Sequence, residues 1–452
     1  MAHRYLLRGT VAAAVAALAI AGCGSDDSDD TATTGGATGS TAASGESSPE
    51  ATTDTSCGDN ADKATPGPVS TAPLKIGTLL PATGSLAFLG PPEFAGVKLA
   101  IQDVNTAGGV LGSPVQQVDG DSGDTTTDTA NATVDRELAA GTQVIIGAAS
   151  SSVSLKVIDK ISNAGAVMFS PANTSDEFTC YSDKGQYFRT APADTLQAQA
   201  LAQVMAEGGV QRISILAMND PYGTGLANNT VADLEAAGIP SDQIQKIIYD
   251  PNAQSFNAEV DQVKNFNPDG IAIIGFEESA KILTRMNEVK IGPKDKMVFG
   301  VDGNMGNALG ESVGAGILEG MKGTTPLTKV GADFEGRLKA VDPALIDFNY
   351  AGESYDAVVI SALAAEFAKS TNGKSIAAGI NAVTEGGTKC TTYQECLPLA
   401  QAGTDLDYDG ITGELAFVTA GEPSVGSYGV LEFDGSNKLI TPVADYKVVK
   451  GE

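Results

Sequence analysis

The stretch LKIGTLLPATGSLAFLG, Leu74–Gly90, decides how this chain is read. Its first seven residues form a short apolar run of strand type, and a loop rich in small and polar residues follows. Phe94, Val97, Ile101 and Val104 then recur at helical spacing until Gly108 and Gly109 end the pattern. Strand, loop and helix go on alternating. Short apolar runs at 144–147, 166–170, 213–218, 247–249, 271–276 and 297–302 read as buried strands. Amphipathic helices are expected at 152–163, 195–208, 225–237, 256–266, 278–289, 331–341 and 353–370. This alternation predicts an α/β fold in which parallel sheets are covered by helices. The units are too many for one sheet, so two lobes are expected.

Upstream of Leu74 the composition changes. Arg4 and Arg8 precede an apolar run from Val11 to Ala21, and Gly22-Cys23 closes it. The run is shorter than the ~20 residues of a spanning helix, so residues 1–22 read as a secretory signal peptide. The cysteine after Ala21-Gly22 resembles a lipobox, with Cys23 as the lipidated first residue of a protein working outside the cell membrane. Residues 23–73 are acidic and rich in Gly, Ser, Thr and Ala, with Pro66, Pro68 and Pro73 near their end. Such a stretch buries too little to offset its ordering entropy and is expected to be a disordered tether.

Composition excludes several classes of function. The formal net charge of −28 disfavours nucleic acid as a partner. The single histidine is His3, inside the signal peptide, so Ser-His-Asp and Cys-His catalysis and imidazole-bound zinc are not expected. No P-loop or GxGxxG follows the first strand. Cys57, Cys180, Cys390 and Cys396 remain beyond Cys23, an even set that reads as disulfides in an exported protein. Cys390 and Cys396 are near neighbours expected to pair, which leaves Cys57 for Cys180, although three connectivities are formally open. Asp405-x-Asp407-x-Asp409-Gly410 resembles the start of an EF-hand loop, but its twelfth position is Ala416 rather than a bidentate Glu, so no metal is expected there.

In open α/β sheets ligands bind where strands end and helices begin. Three such ends carry suitable chemistry. Ile145-Ile146-Gly147-Ala148-Ala149-Ser150-Ser151-Ser152 leads straight into a helix, whose free N–H groups and positive dipole end suit a carboxylate. One serine serves as a cap; three exceed a cap's needs. Phe169-Ser170-Pro171-Ala172-Asn173-Thr174-Ser175 follows another strand, and Val298–Asn304 sets Asp302 at the end of a third, where it suits an ammonium group or a turn cap.

Taken in order, the segments LKIGTLLPATGSLAFLG, GVKLAIQDVNTAGGVLG, VIIGAASSSVS, FSPANTS, NDPYGTGLA, DGIAIIGFEES, FGVDGN, SYDAV and LDYDGITGELAF resemble one known family. It comprises the substrate-binding proteins of branched-chain amino-acid ABC transporters, the Leu/Ile/Val-binding proteins of type I periplasmic-binding fold. The resemblance runs from about Leu74 to the C-terminus and implies two Rossmann-like lobes joined by three crossovers. Lobe 1 is expected at 74–191 plus 325–415, and lobe 2 at 192–324 plus 416–452. Carried over by position, the carboxylate-binding serine falls on Ser151, and the alanine carbonyl and threonine on Ala172 and Thr174. The acidic partner of the ammonium falls on Asp302, where many relatives have Glu; Tyr222 matches a second-lobe tyrosine. Phe88 and Phe276 fall at aromatic positions lining the side-chain pocket, Phe276 standing where some relatives have Tyr. Ser150 replaces a cysteine that is disulfide-bonded in some relatives. The expected protein is a non-enzymatic, monomeric receptor without a cofactor, tethered to the membrane by lipid on Cys23. It would pass a small amino acid, branched-chain or otherwise apolar, to an ABC permease. The alternatives are a ligand-sensing receptor and a binder of an amide, urea or a carboxylate solute.

Overall fold

The computed structural model describes residues 61–327, 331–440 and 446–451. The segment expected as a signal peptide, Cys23, Cys57 and the expected tether up to residue 60 lie outside the described residues.

The first sheet holds β1 (Lys75–Leu79), β2 (Gln116–Val118), β3 (Val144–Gly147), β4 (Val167–Ser170) and β5 (Tyr187–Arg189), all parallel in the order β2-β1-β3-β4-β5. Helices α1 (Gly90–Thr106), α2 (Thr129–Ala139) and α3 (Ser151–Ala164) connect its strands. The chain then crosses to a second sheet through α4 (Asp194–Glu207). There β6 (Ile213–Met218), β7 (Ile244–Tyr249), β8 (Gly270–Ile274), β9 (Met297–Gly300) and β10 (Lys322–Pro326) run parallel. Their connections carry α5 (Pro221–Ala236), α6 (Asn257–Phe266), α7 (Ser279–Glu288) and α8 (Asn307–Ser312). A second crossing returns to the first lobe for α9 (Ala332–Val341), α10 (Ala351–Ala368), α11 (Gly373–Ile380), β11 (Thr388–Cys390), α12 (Tyr393–Ala402) and β12 (Leu406–Tyr408). A third brings β13 (Val425–Phe433) antiparallel onto β10, with β14 (Leu439–Ile440) and β15 (Tyr446–Lys450) beside it.

Every apolar run expected as a strand is one. VIIG, VMFS, ISILAM and GIAII are buried at every residue, because helices cover both sheet faces and leave no side for polar alternation. Several of the elements that went unread are short or polar, although the nine-residue β13 and the apolar α11 went unread as well. β2 and β5 have three residues each, α2 buries Thr133 and Glu137 beside Ala130 and Val134, and α12 contains Pro398. The helix expected from 225 begins at Pro221, where Asp220 caps it by accepting from the Gly223 N–H at 2.7 Å.

Two expected boundaries move. Thr325 and Pro326 pair with Gly429 and Tyr428, so the second sheet keeps them and the return to the first lobe comes after them. Phe417 packs on Phe169 of β4, so the final crossing lies beyond residue 417 rather than at 416. The tether also ends earlier than residue 73. Asp62 accepts from the Ser182 hydroxyl and the Lys184 N–H, and Ser70 exchanges hydrogen bonds with Ser370 and Thr371. Polar composition hid this, because the strap is held by hydrogen bonds and not by apolar burial. Cys390 and Cys396 are bonded to each other. Cys180 is also disulfide-bonded.

SYDAV and the Asp-rich segment prove to be one structural unit. Asp356 on α10 accepts from the Tyr408 hydroxyl, the Ile411 and Thr412 N–H groups and the Thr412 hydroxyl, which pins the loop after β12. Lys389 reaches both Asp407, at 3.3 Å, and Asp409, at 2.7 Å, and supplies the positive charge those carboxylates need.

Candidate functional site

One wall of the cleft is built from the ends of β3 and β4. Gly147 has φ +131°, and a Cβ there would meet the Leu79 carbonyl at 2.1 Å, so only glycine turns the chain here. The three serines then divide the work. Ser150 caps α3 by accepting from the Val153 N–H, Ser151 is buried at the helix start, and Ser152 donates to Asp220 of the second lobe at 2.8 Å. Ser170 ties the neighbouring loop to this turn. Its hydroxyl donates to the Ala148 carbonyl at 2.7 Å and accepts from the Ala172 and Asn173 N–H groups.

Beneath that loop lies Arg189, 0 % exposed. It donates through Nε and Nη2 to Glu422, through Nη2 to Thr179, and through Nη1 to the Ser175 and Asn173 carbonyls. The Thr174 carbonyl accepts from the Asp194 N–H at 2.7 Å. With its neighbours so engaged, the Ala172 carbonyl is left as a buried acceptor that no backbone group of the loop satisfies.

The second lobe supplies the other wall. Asp302 follows β9 and is 5 % exposed. Its Oδ1 accepts from the Tyr222 hydroxyl at 2.7 Å and the Gln197 amide at 2.8 Å, and its Oδ2 from the Tyr350 hydroxyl at 2.7 Å. Burial pushes its pKa up, while these three donors pull it back. Tyr222 stacks on Phe276 with ring centroids 5.5 Å apart. A Cβ on Gly303 would press on the Phe276 ring at 2.8 Å, so glycine lets the ring lie beside Asp302. Phe88, from the loop after β1, packs against Gly306 of the second lobe. Phe88, Phe276 and Leu309 line a cavity of about 180 Å³. A polar cavity of about 820 Å³ lies alongside it, bounded by Ser150, Ser152, Asp220 and Glu277.

Ser151, Ala172 and Thr174 therefore share one wall, and Tyr222, Phe276 and Asp302 the other, with Phe88 reaching across. The lobes are latched directly by Ser152 to Asp220 and by the Asn229 amide to Asp176. Sequence reading missed Gln197, Tyr350, Asp194 and the Arg189–Glu422 pair. Asp220 was legible as Asp-Pro, a cap followed by a first-turn proline. Tyr350, with φ +60° just before α10, carried no signal at all.

Two α/β lobes that close on a cleft at their strand ends, with polar groups from both walls, define a bilobal solute-binding protein. The chain belongs to the periplasmic binding protein family, which matches residues 73–428. It is 26 % identical over 372 residues to the chemotactic signal transduction system substrate-binding protein BasB of Halobacterium salinarum, covering 78 % of this chain and 86 % of that protein. It is 27 % identical over 256 residues to a leucine-, isoleucine-, valine-, threonine- and alanine-binding protein of Pseudomonas aeruginosa, covering 56 % of this chain and 66 % of the relative. Among solved structures, the leucine-binding protein LivK of Thermotoga maritima superposes with TM-score 0.68 at 21 % identity, covering 83 % of this chain and 99 % of LivK. LivJ of Streptococcus pneumoniae, solved with isoleucine, gives 0.67 at 20 %, covering 84 % and 99 %. These structures establish the type I periplasmic-binding fold.

Proposed function

We propose that the protein is an extracytoplasmic receptor, lipid-anchored through Cys23, that captures a small amino acid with an apolar side chain and delivers it to an ABC permease. The observation that supports the reading is a buried carboxylate, Asp302, held by Tyr222, Gln197 and Tyr350 beside the Phe276 ring that lines an apolar cavity. The Ala172 carbonyl and Asp302 take the ammonium, and Thr174 helps to hold the carboxylate. Ser151 and the N-terminal end of α3 take the carboxylate. At about 30 Å³ per water-sized group, the cavity of Phe88, Phe276 and Leu309 accommodates a four-carbon side chain. A solute lacking either charged end leaves buried groups unpaired and binds poorly. Closure follows because the ligand touches both walls only in the closed form. The amino-acid-binding relatives support this reading, and BasB supports a second, in which the closed form signals to a membrane partner. A thermal-shift screen of residues 57–452, refolded to strip carried-over solute, tests the ligand class. Stabilisation by leucine, isoleucine or valine that disappears in Asp302→Ala is the expected result. A shift from an amide or simple carboxylate, with none from any α-amino acid, would replace the amino-acid reading.

A further inference from the structure

Asp176 and Asp302 both lie within electrostatic reach of Asp194. The three differ in what donates to them. Asp302 accepts the three hydrogen bonds described above. Asp176 accepts from the Asn229 amide at 2.5 Å and the Thr195 N–H at 3.3 Å. Asp194, the first residue of α4, is 0 % exposed, and neither of its oxygens has a hydrogen bond of ordinary geometry.

The charged and titratable groups around Asp194 come from every neighbouring element. They are Asp176 beyond β4, Arg189 on β5, Tyr222 on α5, Asp302 after β9 and Tyr428 on β13. Arg189 is the one cation among them, and Glu422 already neutralises it. Buried carboxylates near one another repel far more strongly than they would in water. Three cannot all stay charged cheaply, so a proton is retained. It goes to the carboxylate whose charged form is least hydrogen-bonded. That is Asp194. Burial and the charges of Asp176 and Asp302 hold it well above the usual carboxylate range, with the Thr174 hydroxyl and Arg189 pulling the other way.

We propose that Asp194 holds a proton before capture and releases it to solvent as the ligand's ammonium group enters, so that binding an amino acid and losing a proton are one event. The proposal rests on the amino-acid reading above. The Asp194 O–H bond breaks, the proton leaves to buffer, and the carboxylate so formed pairs with the ammonium; no bond of the ligand changes. By linkage, affinity rises with pH, by at most tenfold per unit while Asp194 is the titrating group. A more acidic exterior then favours release of the solute.

Calorimetry decides it. Leucine, or the α-amino acid that stabilises best in the screen, is titrated into the protein at about pH 6.5 in phosphate and in imidazole, buffers with small and large ionisation heats. The ligand's own groups do not titrate there. The expected heats differ by up to one proton's worth of buffer ionisation, and Kd tightens as pH rises, by at most tenfold per unit. In Asp194→Asn, which is isosteric with the neutral acid, the buffer difference and the pH slope both vanish. Infrared difference spectroscopy of the wild type gives an independent readout, a protonated carboxyl band that is lost on adding leucine. Binding with buffer-independent heat overturns the proposal and leaves the amino-acid reading standing, as does proton release that persists in Asp194→Asn. No heat from any α-amino acid overturns that reading, and this proposal with it.

Discussion

Glu422→Gln is the substitution through which the architecture of the site is best tested. Arg189 spends all five of its N–H donors inside the protein, two of them on Glu422 at 2.9 and 2.5 Å. Glu422 belongs to the segment leading into β13, whereas the Asn173 and Ser175 carbonyls belong to the loop carrying Ala172 and Thr174. The guanidinium therefore joins the last crossing to the head-group wall. Glutamine keeps the shape and one acceptor oxygen but removes the charge, leaving a fully buried cation without a counter-ion. Breaking a buried pair from one side costs about 3–5 kcal/mol, and the retained oxygen places the expected loss near the lower end, about 3 kcal/mol. Urea unfolding followed by far-ultraviolet circular dichroism measures it, since the chain has no tryptophan. Replacing both partners with apolar residues, Arg189→Met with Glu422→Leu, is expected to recover much of that stability. Amino-acid affinity still falls in the double variant, because the Asn173 and Ser175 carbonyls lose their donor. A Glu422→Gln protein within about 1 kcal/mol of wild type refutes the buried-pair argument. Unchanged affinity in the double variant refutes the role assigned to Arg189 in orienting the loop.

Other expectations follow from the same geometry. Tyr222→Phe removes one hydrogen bond to Asp302, worth about 1 kcal/mol, and calorimetry should show amino-acid binding weakened about fivefold with the melting temperature little changed; equal affinity removes Tyr222 from the site. Gly147→Ala drives a methyl group into the Leu79 carbonyl and should yield no soluble folded protein; a variant melting like the wild type would show that the β3 turn can relax. Glu353, buried on α10 and beside Asp356, is pushed up from 4.5 to about 8. The folded protein therefore keeps this proton to higher pH than the unfolded chain does, so the associated stability is full below about pH 4.5 and is lost as pH rises towards 8. Glu353→Gln, which mimics the protonated form, should gain on the wild type steadily between those limits; parallel stability–pH curves would contradict the assignment.

The chain by itself determined the fold class and the position of the cleft. Strands buried on both faces write themselves as unbroken apolar runs, and helices over them as apolar residues every third or fourth place. Strand ends follow directly, so the segments 145–152, 169–175 and 298–304 were legible as strand-end turns, whereas the resemblance, not the pattern, pointed to Ser151, Ala172, Thr174, Phe276 and Asp302 as expected site residues. The three-residue strands β2, β5, β11 and β12 and the strap at 61–72 were not, because so short a strand carries no period and backbone hydrogen bonds leave no mark in composition. What only the tertiary structure decided is how the charges are shared. Asp302 meets Gln197, Tyr222 and Tyr350 across 105, 80 and 48 residues of chain. Arg189 meets Glu422 across 233. Neither oxygen of Asp194 has a hydrogen bond of ordinary geometry, although in sequence it is one more acidic residue at a helix start. Local pattern follows from what a residue's near neighbours permit; hydrogen-bond partners and proton occupancy depend on burial and on groups that only the folded chain brings within reach.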